Sequence, residues 1–288
     1  MRLTGGEIIA EYLIKEEIPY IVGIPGHGCL GLVDAFKGKE EKIKLLQVRH
    51  EQSAVHLADG YYRFSGKPLA VFTSIGPGAV NTAVGIATCY VDSTPVLLIT
   101  GDTHTYMFGR GVLQEIERTH DANFPRMLEP VVKRWWQVAA AEQLPGILDK
   151  AFNQMLSGRR GPVLISLPMD VQAESASVEI RKATRRAGSR IFGAPDDLDR
   201  VVNLLLKAKR PVILAGGGVI TSEASSELKE LAEFLQAAVL TTMMGKGSFP
   251  EDHPLYAWHT GSKGTSCGNK ISSSSDVLLA VGCRFADL

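Results

Sequence analysis

The chain has 288 residues, 45% hydrophobic and 22% charged, with 31 Lys and Arg against 31 Asp and Glu and hence no formal net charge. This is an ordinary globular composition, long enough for one large domain or two of usual size. A balanced charge excludes a basic nucleic-acid tail and a polybasic membrane patch, which leaves small molecules and other proteins as partners.

At the N-terminus, Thr4-Gly5-Gly6-Glu7 has the form of a capping box. The helix behind it places Ile8, Ile9, Tyr12 and Leu13 on one face. Glu7 and Glu11 in this segment are unlike a signal peptide, and no run approaches the ~20 apolar residues of a membrane span. The strand IPYIVG then closes on Pro25-Gly26, and CLGLVDAF is a short helix. KIKLLQV is a strand, EQSAVHLADGYYRF a helix, PLAVFTS a strand, GAVNTAVGIATCYV one Ala/Gly-rich helix, and PVLLITG a strand. After a less regular stretch from Asp102 to Val132 come WWQV (strand), QLPGILDKAFNQML (helix) and GPVLISLP (strand). Strands this apolar are buried on both faces, so the pattern predicts an α/β fold with a parallel sheet and helices on both faces.

From 173 to 195 large apolar residues are few and charges many, the composition of an interdomain linker. A second α/β pattern follows over 196–288: helix DDLDRVVNLLLKA, strand PVILA with a Gly turn, helix SSELKELAEFLQ, and strands AVLTT and DVLLAVG. Since the sequence stops soon after a strand, this second α/β domain is expected to be incomplete.

Arg49, His50 and Glu51 stand together at a strand–helix joint. In parallel α/β sheets ligands bind at the carboxyl ends of strands. A Glu in a first helical turn can also do no more than complement the macrodipole. The helix behind Glu51, with Ser53, Ala54, Val55, Leu57, Ala58 and Gly60, reads as packed. A carboxyl placed there can exchange a proton with a basic ring nitrogen near neutral pH. Arg49 and His50 read as structural. Ser74-Ile75-Gly76-Pro77-Gly78-Ala79-Val80-Asn81 opens a helix with glycines that permit close ligand approach, but a tight turn alone would explain them. No Gly-Lys-Ser/Thr follows, so it is not a Walker loop. Gly216-Gly217-Gly218 fails the dinucleotide pattern, whose third glycine would fall at Thr221. Cys29, Cys89, Cys267 and Cys283 form no C-x-x-C pair and no zinc-type spacing with the scattered histidines, so no metal site is expected. Unpaired cysteines fit a reduced, cytoplasmic setting, and Cys29 and Cys89 read as core or turn residues.

Taken in order, GIPG (23–26), VRHEQSAVHLADGYYR (48–63), SIGPGAVN (74–81), Gln114-Glu115, GRRGPVLISLPMDVQ (158–172) and LLAVGCRFAD (278–287) strongly resemble the acetolactate-synthase-like branch of thiamine-diphosphate enzymes. The resemblance covers nearly the whole chain. It implies a pyrimidine-binding domain over 1–172 and part of a central domain over 196–288. A third, diphosphate-binding domain with a GDG motif has no counterpart here. It further implies that Glu51 hydrogen-bonds the cofactor's aminopyrimidine and relays the proton that activates it toward a 2-oxo acid. Gln114 becomes a second catalytic residue. Pro25, Gly26, Gly76, Pro77, Gly78 and Asn81 become cofactor-lining residues alongside Glu51. Met169, where relatives carry Lys, and Arg284 match positions near substrate or flavin, and Leu113 replaces the usual Phe before Gln114. The implied cofactors are thiamine diphosphate, Mg²⁺ held through the missing domain, and FAD as a further candidate. The implied assembly is a homodimer or larger oligomer, or a pairing with a separate diphosphate-domain chain, with no nucleic acid or membrane partner. Two competing readings remain at this level: an inactive fragment or regulatory subunit, and, with less support, a nicotinamide-dependent oxidoreductase built on the Gly216 turn.

Overall fold

A computed structural model describes residues 1–111, 114, 124–183 and 193–285. The chain divides into two compact units, Met1–Ser189 and Arg190–Leu288.

In the first unit, β1 (Arg2–Thr4) leads into α1 (Gly5–Lys15) through the expected capping box. Thr4 Oγ1 accepts from the Glu7 N–H at 3.2 Å, and Glu7 Oε2 accepts from the Thr4 N–H at 2.8 Å. The elements that follow are β2 (Tyr20–Gly23), α2 (Leu30–Asp34), β3 (Lys44–Gln47), α3 (Glu51–Ser65), β4 (Ala70–Thr73), α4 (Pro77–Val80), α5 (Ala83–Asp92) and β5 (Leu97–Asp102). Then come α6 (Phe124–Leu128), β6 (Trp135–Gln137), α7 (Leu144–Leu156), β7 (Val163–Pro168), α8 (Met169–Ala173) and β8 (Ser175–Ser177). Six strands form one parallel sheet in the order β3-β2-β4-β5-β7-β6. β4, β5 and β7 are buried along their whole length, as their unbroken apolar character predicts. On α1, Ile8, Ile9, Tyr12 and Leu13 are all buried, and the Tyr12 ring meets Phe152 of α7 at 5.6 Å. Each such side chain withdrawn from water contributes roughly 1.5–3 kcal/mol.

Three sequence expectations change here. The helix expected across 78–91 is broken between α4 and α5. Thr82 N–H and Oγ1 both bond back to Ala79 O (3.1 and 2.7 Å), which tightens the turn and leaves Asn81 at the break. α3 is not packed all round: Ala54, Val55, Ala58, Asp59 and Tyr62 are buried, whereas Ser53, Leu57, Gly60 and Phe64 face out. The expected linker 173–195 begins inside the first unit. β8 pairs antiparallel with β1, and Ala183 N–H donates to the buried Glu16 carboxylate.

In the second unit, α9 (Pro195–Lys207), β9 (Pro211–Ala215), α10 (Gly217–Thr221), α11 (Ser225–Leu235), β10 (Ala238–Thr241), β11 (Tyr256–His259), α12 (Ser266–Ser274) and β12 (Val277–Val281) follow in order. Their strands form a parallel sheet ordered β11-β10-β9-β12. β11 and α12 have no counterpart in the sequence reading. The serines of 272–275 are not a loose tract: each Oγ bonds to the carbonyl three residues earlier, at 2.7–3.1 Å. On α9 the apolar residues Leu198, Val201 and Val202 are exposed and only Leu205 is buried, although their spacing is that of a sheet-covering stripe.

Asp276, ahead of β12, accepts from the N–H groups of Lys209 (2.7 Å) and Arg210 (2.9 Å), and these bonds hold its carboxyl below the usual aspartate range. A lowered folded-state value stabilises the protein above the ordinary aspartate range, and that contribution is lost as pH falls through the lowered value. Asp276→Ala is therefore expected to lower the denaturant midpoint of the second unit at pH 7. The gap from wild type should close as pH falls through that lowered value, as followed by circular dichroism. Burial pushes the Cys29 thiol up and takes Cys89 to about 12, whereas Cys267 is exposed. A thiol reagent at neutral pH should therefore label Cys267 first, with Cys29 and Cys89 reacting only on unfolding. Equal labelling of Cys89 in the native chain would contradict this packing.

Candidate active site

Three adjacent strands, β3, β2 and β4, end side by side on the carboxyl edge of the first sheet. β2 lies at the point where the chain order reverses, the usual place for a ligand in an open α/β sheet.

After β3 the chain turns directly into α3, with Glu51 its first residue. His50 is the N-cap, its Nδ1 accepting the Gln52 N–H at 3.2 Å. This supplies one of the bonds that a helix start lacks. Glu51 is half-buried. After β2, the half-buried Pro25 and Gly26 lead into a single turn at His27–Cys29, and the Gly26 N–H points at Cys29 Sγ (3.4 Å). Gly28 N–H donates to Ser74 Oγ at 3.3 Å, joining this turn to the one after β4. A Cβ on Gly26 would lie 2.6 Å from Ser74 Cβ, and one on Gly28 would lie 2.2 Å from Ile75 Cγ1. The two turns thus meet at a separation only glycine allows.

After β4, Gly76 takes φ 56° and ψ −111°, a conformation that strains other residues, and Pro77 starts α4. A Cβ on Gly76 would lie 2.0 Å from the carbonyl oxygen of Gln114. Gln114 itself has φ 67° and is exposed. Asn81, at the end of α4, donates from Nδ2 to Glu51 Oε2 at 2.9 Å. A Cβ on Gly78 would lie 3.0 Å from Glu51 Oε1. Glu51, Gly76, Gly78, Asn81 and the backbone of Gln114 are therefore brought together, and Gly26, with Pro25 before it in the chain, lies against Ser74 of the same turn. Leu113 and Glu115 lie outside the described residues.

Met169 starts α8 at the end of β7, which is separated from β4 by β5. Arg284 belongs to the second unit, just after β12. Two supports went unassigned in the sequence reading. Gln172 donates to the carbonyls of Gly28 (2.7 Å) and Leu167 (3.0 Å) and accepts from Leu32 N–H (3.2 Å), which pins the turn after β2. Buried Asp102 accepts from Ser166 Oγ (2.5 Å) and Gln137 Nε2 (3.1 Å), tying together the ends of β5, β6 and β7. Gln172 closes the quoted run LPMDVQ, but nothing in the local pattern shows that two of its partners, Leu32 and Gly28, lie 140 and 144 positions away.

In the second unit the Gly216–Gly218 turn is filled by protein backbone. Gly218 N–H donates to Gly282 O at 3.0 Å, and a Cβ on Gly216 would lie 2.3 Å from that same oxygen. These glycines serve the packing of one strand-ending turn on another, and they offer no open cradle for a phosphate. Among the described residues, no group of three or more His, Cys, Asp or Glu side chains is placed to hold a metal ion, and no helix is long and apolar enough to cross a membrane.

The described geometry can be set beside known proteins. The N-terminal TPP-binding domain of thiamine pyrophosphate enzymes matches residues 3–122, and the central domain of the same enzymes matches 198–288. The chain is 39% identical over 290 residues to the probable acetolactate synthase large subunit of Methanocaldococcus jannaschii, covering 99% of this chain and 48% of that protein. Identity is 37% over 289 residues to the acetolactate synthase large subunit of Buchnera aphidicola from Schizaphis graminum, covering 99% of this chain and 49% of that one. It is 36% over 295 residues to the acetolactate synthase isozyme 3 large subunit of Escherichia coli, again covering 99% and 49%. The chain spans about half the length of these curated relatives. With both domain types present in order, the chain belongs to the acetolactate-synthase-like family of thiamine pyrophosphate enzymes.

Proposed function

We propose that this chain forms the pyrimidine-side half of a thiamine-diphosphate enzyme of acetolactate synthase type, making and breaking carbon–carbon bonds of 2-oxo acids. One observation carries the reading: a half-buried carboxylate, Glu51, is tied by Asn81 and faces the bare backbone of Gly78 at the carboxyl edge of a parallel sheet. Such a site fits an aminopyrimidine. A flat ring can approach glycine backbone closely, and a carboxylate can exchange a proton with a ring nitrogen over one short hydrogen bond. When bound, thiamine diphosphate supplies an acidic carbon that adds to a ketone carbonyl and holds the electrons released on loss of CO₂. The chain's own part is to hold and move the proton at the Glu51 carboxylate. The turns at Pro25–Gly26 and Gly76–Pro77 shape the surface against which the ring rests. Gln114, exposed beside Gly76, offers an amide donor and acceptor to the substrate. For Met169 and Arg284 a substrate-side role has the support of their places after the carboxyl ends of β7 and β12.

Mg²⁺ and the diphosphate are assigned to a diphosphate-binding domain outside these 288 residues, supplied by a partner or by further polypeptide. FAD draws no support from the Gly216 turn, which backbone fills. α3 and α5 pack on each other, yet Phe64 is 94% exposed and Leu57, Val84 and Val91 are also exposed on these helices. These exposed apolar side chains on α3 and α5 support assembly into a dimer or larger oligomer. The unpaired thiols agree with a cytoplasmic location.

Combined with a diphosphate-domain chain, thiamine diphosphate and Mg²⁺, the protein should consume pyruvate. Glu51→Gln should lower that rate by about 10²-fold or more with the fold intact. Full turnover by this variant would remove the proton relay. Phe64→Asp should shift sedimentation toward the monomer; an unchanged sedimentation profile would place the subunit contact elsewhere.

A further inference from the structure

We propose that Asn81 is a positioning residue that acts through Glu51, not a ligand of the cofactor. This rests on the proton-relay reading of Glu51 given above. Glu51 stands at the first position of α3, half in water, where a three-carbon side chain has several rotamers open to it. Only some of these aim the carboxylate over Gly78. Asn81 selects among them by donating from Nδ2 to Oε2 at 2.9 Å. A carboxylate only accepts, so this contact also sets the Asn81 amide with its nitrogen toward Glu51.

The consequence is a division between the two carboxylate oxygens. Oε2 is engaged by Asn81, while Oε1 lies over Gly78, where a Cβ would come within 3.0 Å. Oε1 is thus the oxygen left for the ring nitrogen. The surrounding backbone makes the arrangement reproducible. His50 caps the turn that carries Glu51. Gly85 lets α5 approach α3 so closely that a Cβ there would lie 2.7 Å from Val55 Cβ. The break between α4 and α5 leaves Asn81 at the end of α4, where its side chain reaches α3.

Two variants of the full chain separate donor from shape. Asn81→Asp keeps the shape but sets a second carboxylate against the first. Asn81→Leu removes the polar group. In the assembly with a diphosphate-domain chain, both should lower kcat for pyruvate consumption, Asn81→Leu on the order of tenfold and Asn81→Asp further. The thiamine diphosphate concentration for half-saturation should stay within about twofold, because the residue does not touch the cofactor. In the chain alone, the nuclear magnetic resonance signals of the Asn81 side-chain amide should move on Glu51→Ala. Full kcat in Asn81→Asp would overturn the proposal. So would a rise in half-saturation with kcat unchanged, which would make Asn81 a cofactor ligand. An amide signal indifferent to Glu51→Ala would remove the contact itself. If the amide responds but Glu51→Gln keeps full turnover, the contact stands and the relay reading is what fails.

Discussion

Close approach of backbone to backbone at the carboxyl edge of the six-stranded sheet governs the rest of the structure. A Cβ on Gly23 would sit 2.0 Å from Phe72 O, one on Gly28 2.2 Å from Ile75 Cγ1, and one on Gly76 2.0 Å from Gln114 O. No side chain fits at these points, so the turns after β2 and β4 close on each other and on the segment carrying Gln114. Polar groups then lock the contact, with Ser74 accepting from Gly28 N–H and Gln172 holding Gly28 O. A glycine turn of this kind can be read as a tight turn or as a ligand surface. The packing accounts for Gly23, Gly28 and Gly76, and Gly78, in the same turn as Gly76, leaves bare backbone opposite Glu51.

Much of the fold was legible in the sequence because its causes are local. Strands buried on both faces read as unbroken apolar runs, which identified β4, β5 and β7 directly. The capping box of α1 is written within four residues. What escaped has causes that are distant or delicate. β1 and β8 are three-residue strands far apart in sequence, and neither has a pattern of its own. The break between α4 and α5 turns on one threonine bonding back to the preceding turn, a choice that composition does not reveal. α3 looked packed because its residues are small and apolar, yet composition does not say which side of a helix is covered. Leu57 and Phe64 lie on the side left exposed.

For the site, residue type and position left Glu51 open to an ordinary helix-start reading, and it was the resemblance to known motifs that gave it a role and its company. Roles were less legible than membership. Asn81 and the glycines stand in the same motif, but their geometry separates them into a donor to Glu51 and surfaces beside it. The Gly216 run shows the converse: it looks like a nucleotide turn in sequence, yet its amide and its space are taken by Gly282. Glycine in a strand-ending turn records that something comes close. Only the third dimension says whether that neighbour is ligand or protein.

The exposure of Glu51 bears on how the proposed relay would operate. In the chain by itself the carboxylate is half-buried and Asn81 beside it is exposed, so water reaches the pair. Water weakens electrostatic and hydrogen-bonding interactions by its dielectric response and by competing for the same groups. A short proton relay gains strength when that water is displaced. The chain contributes geometry at this point, and in the proposed assembly the cover would come from the ligand and from a subunit packed on the exposed apolar side chains of α3 and α5. The same surfaces that look unfinished in isolation would then be what makes Glu51 effective, and assembly would set the dielectric as well as complete the cofactor site.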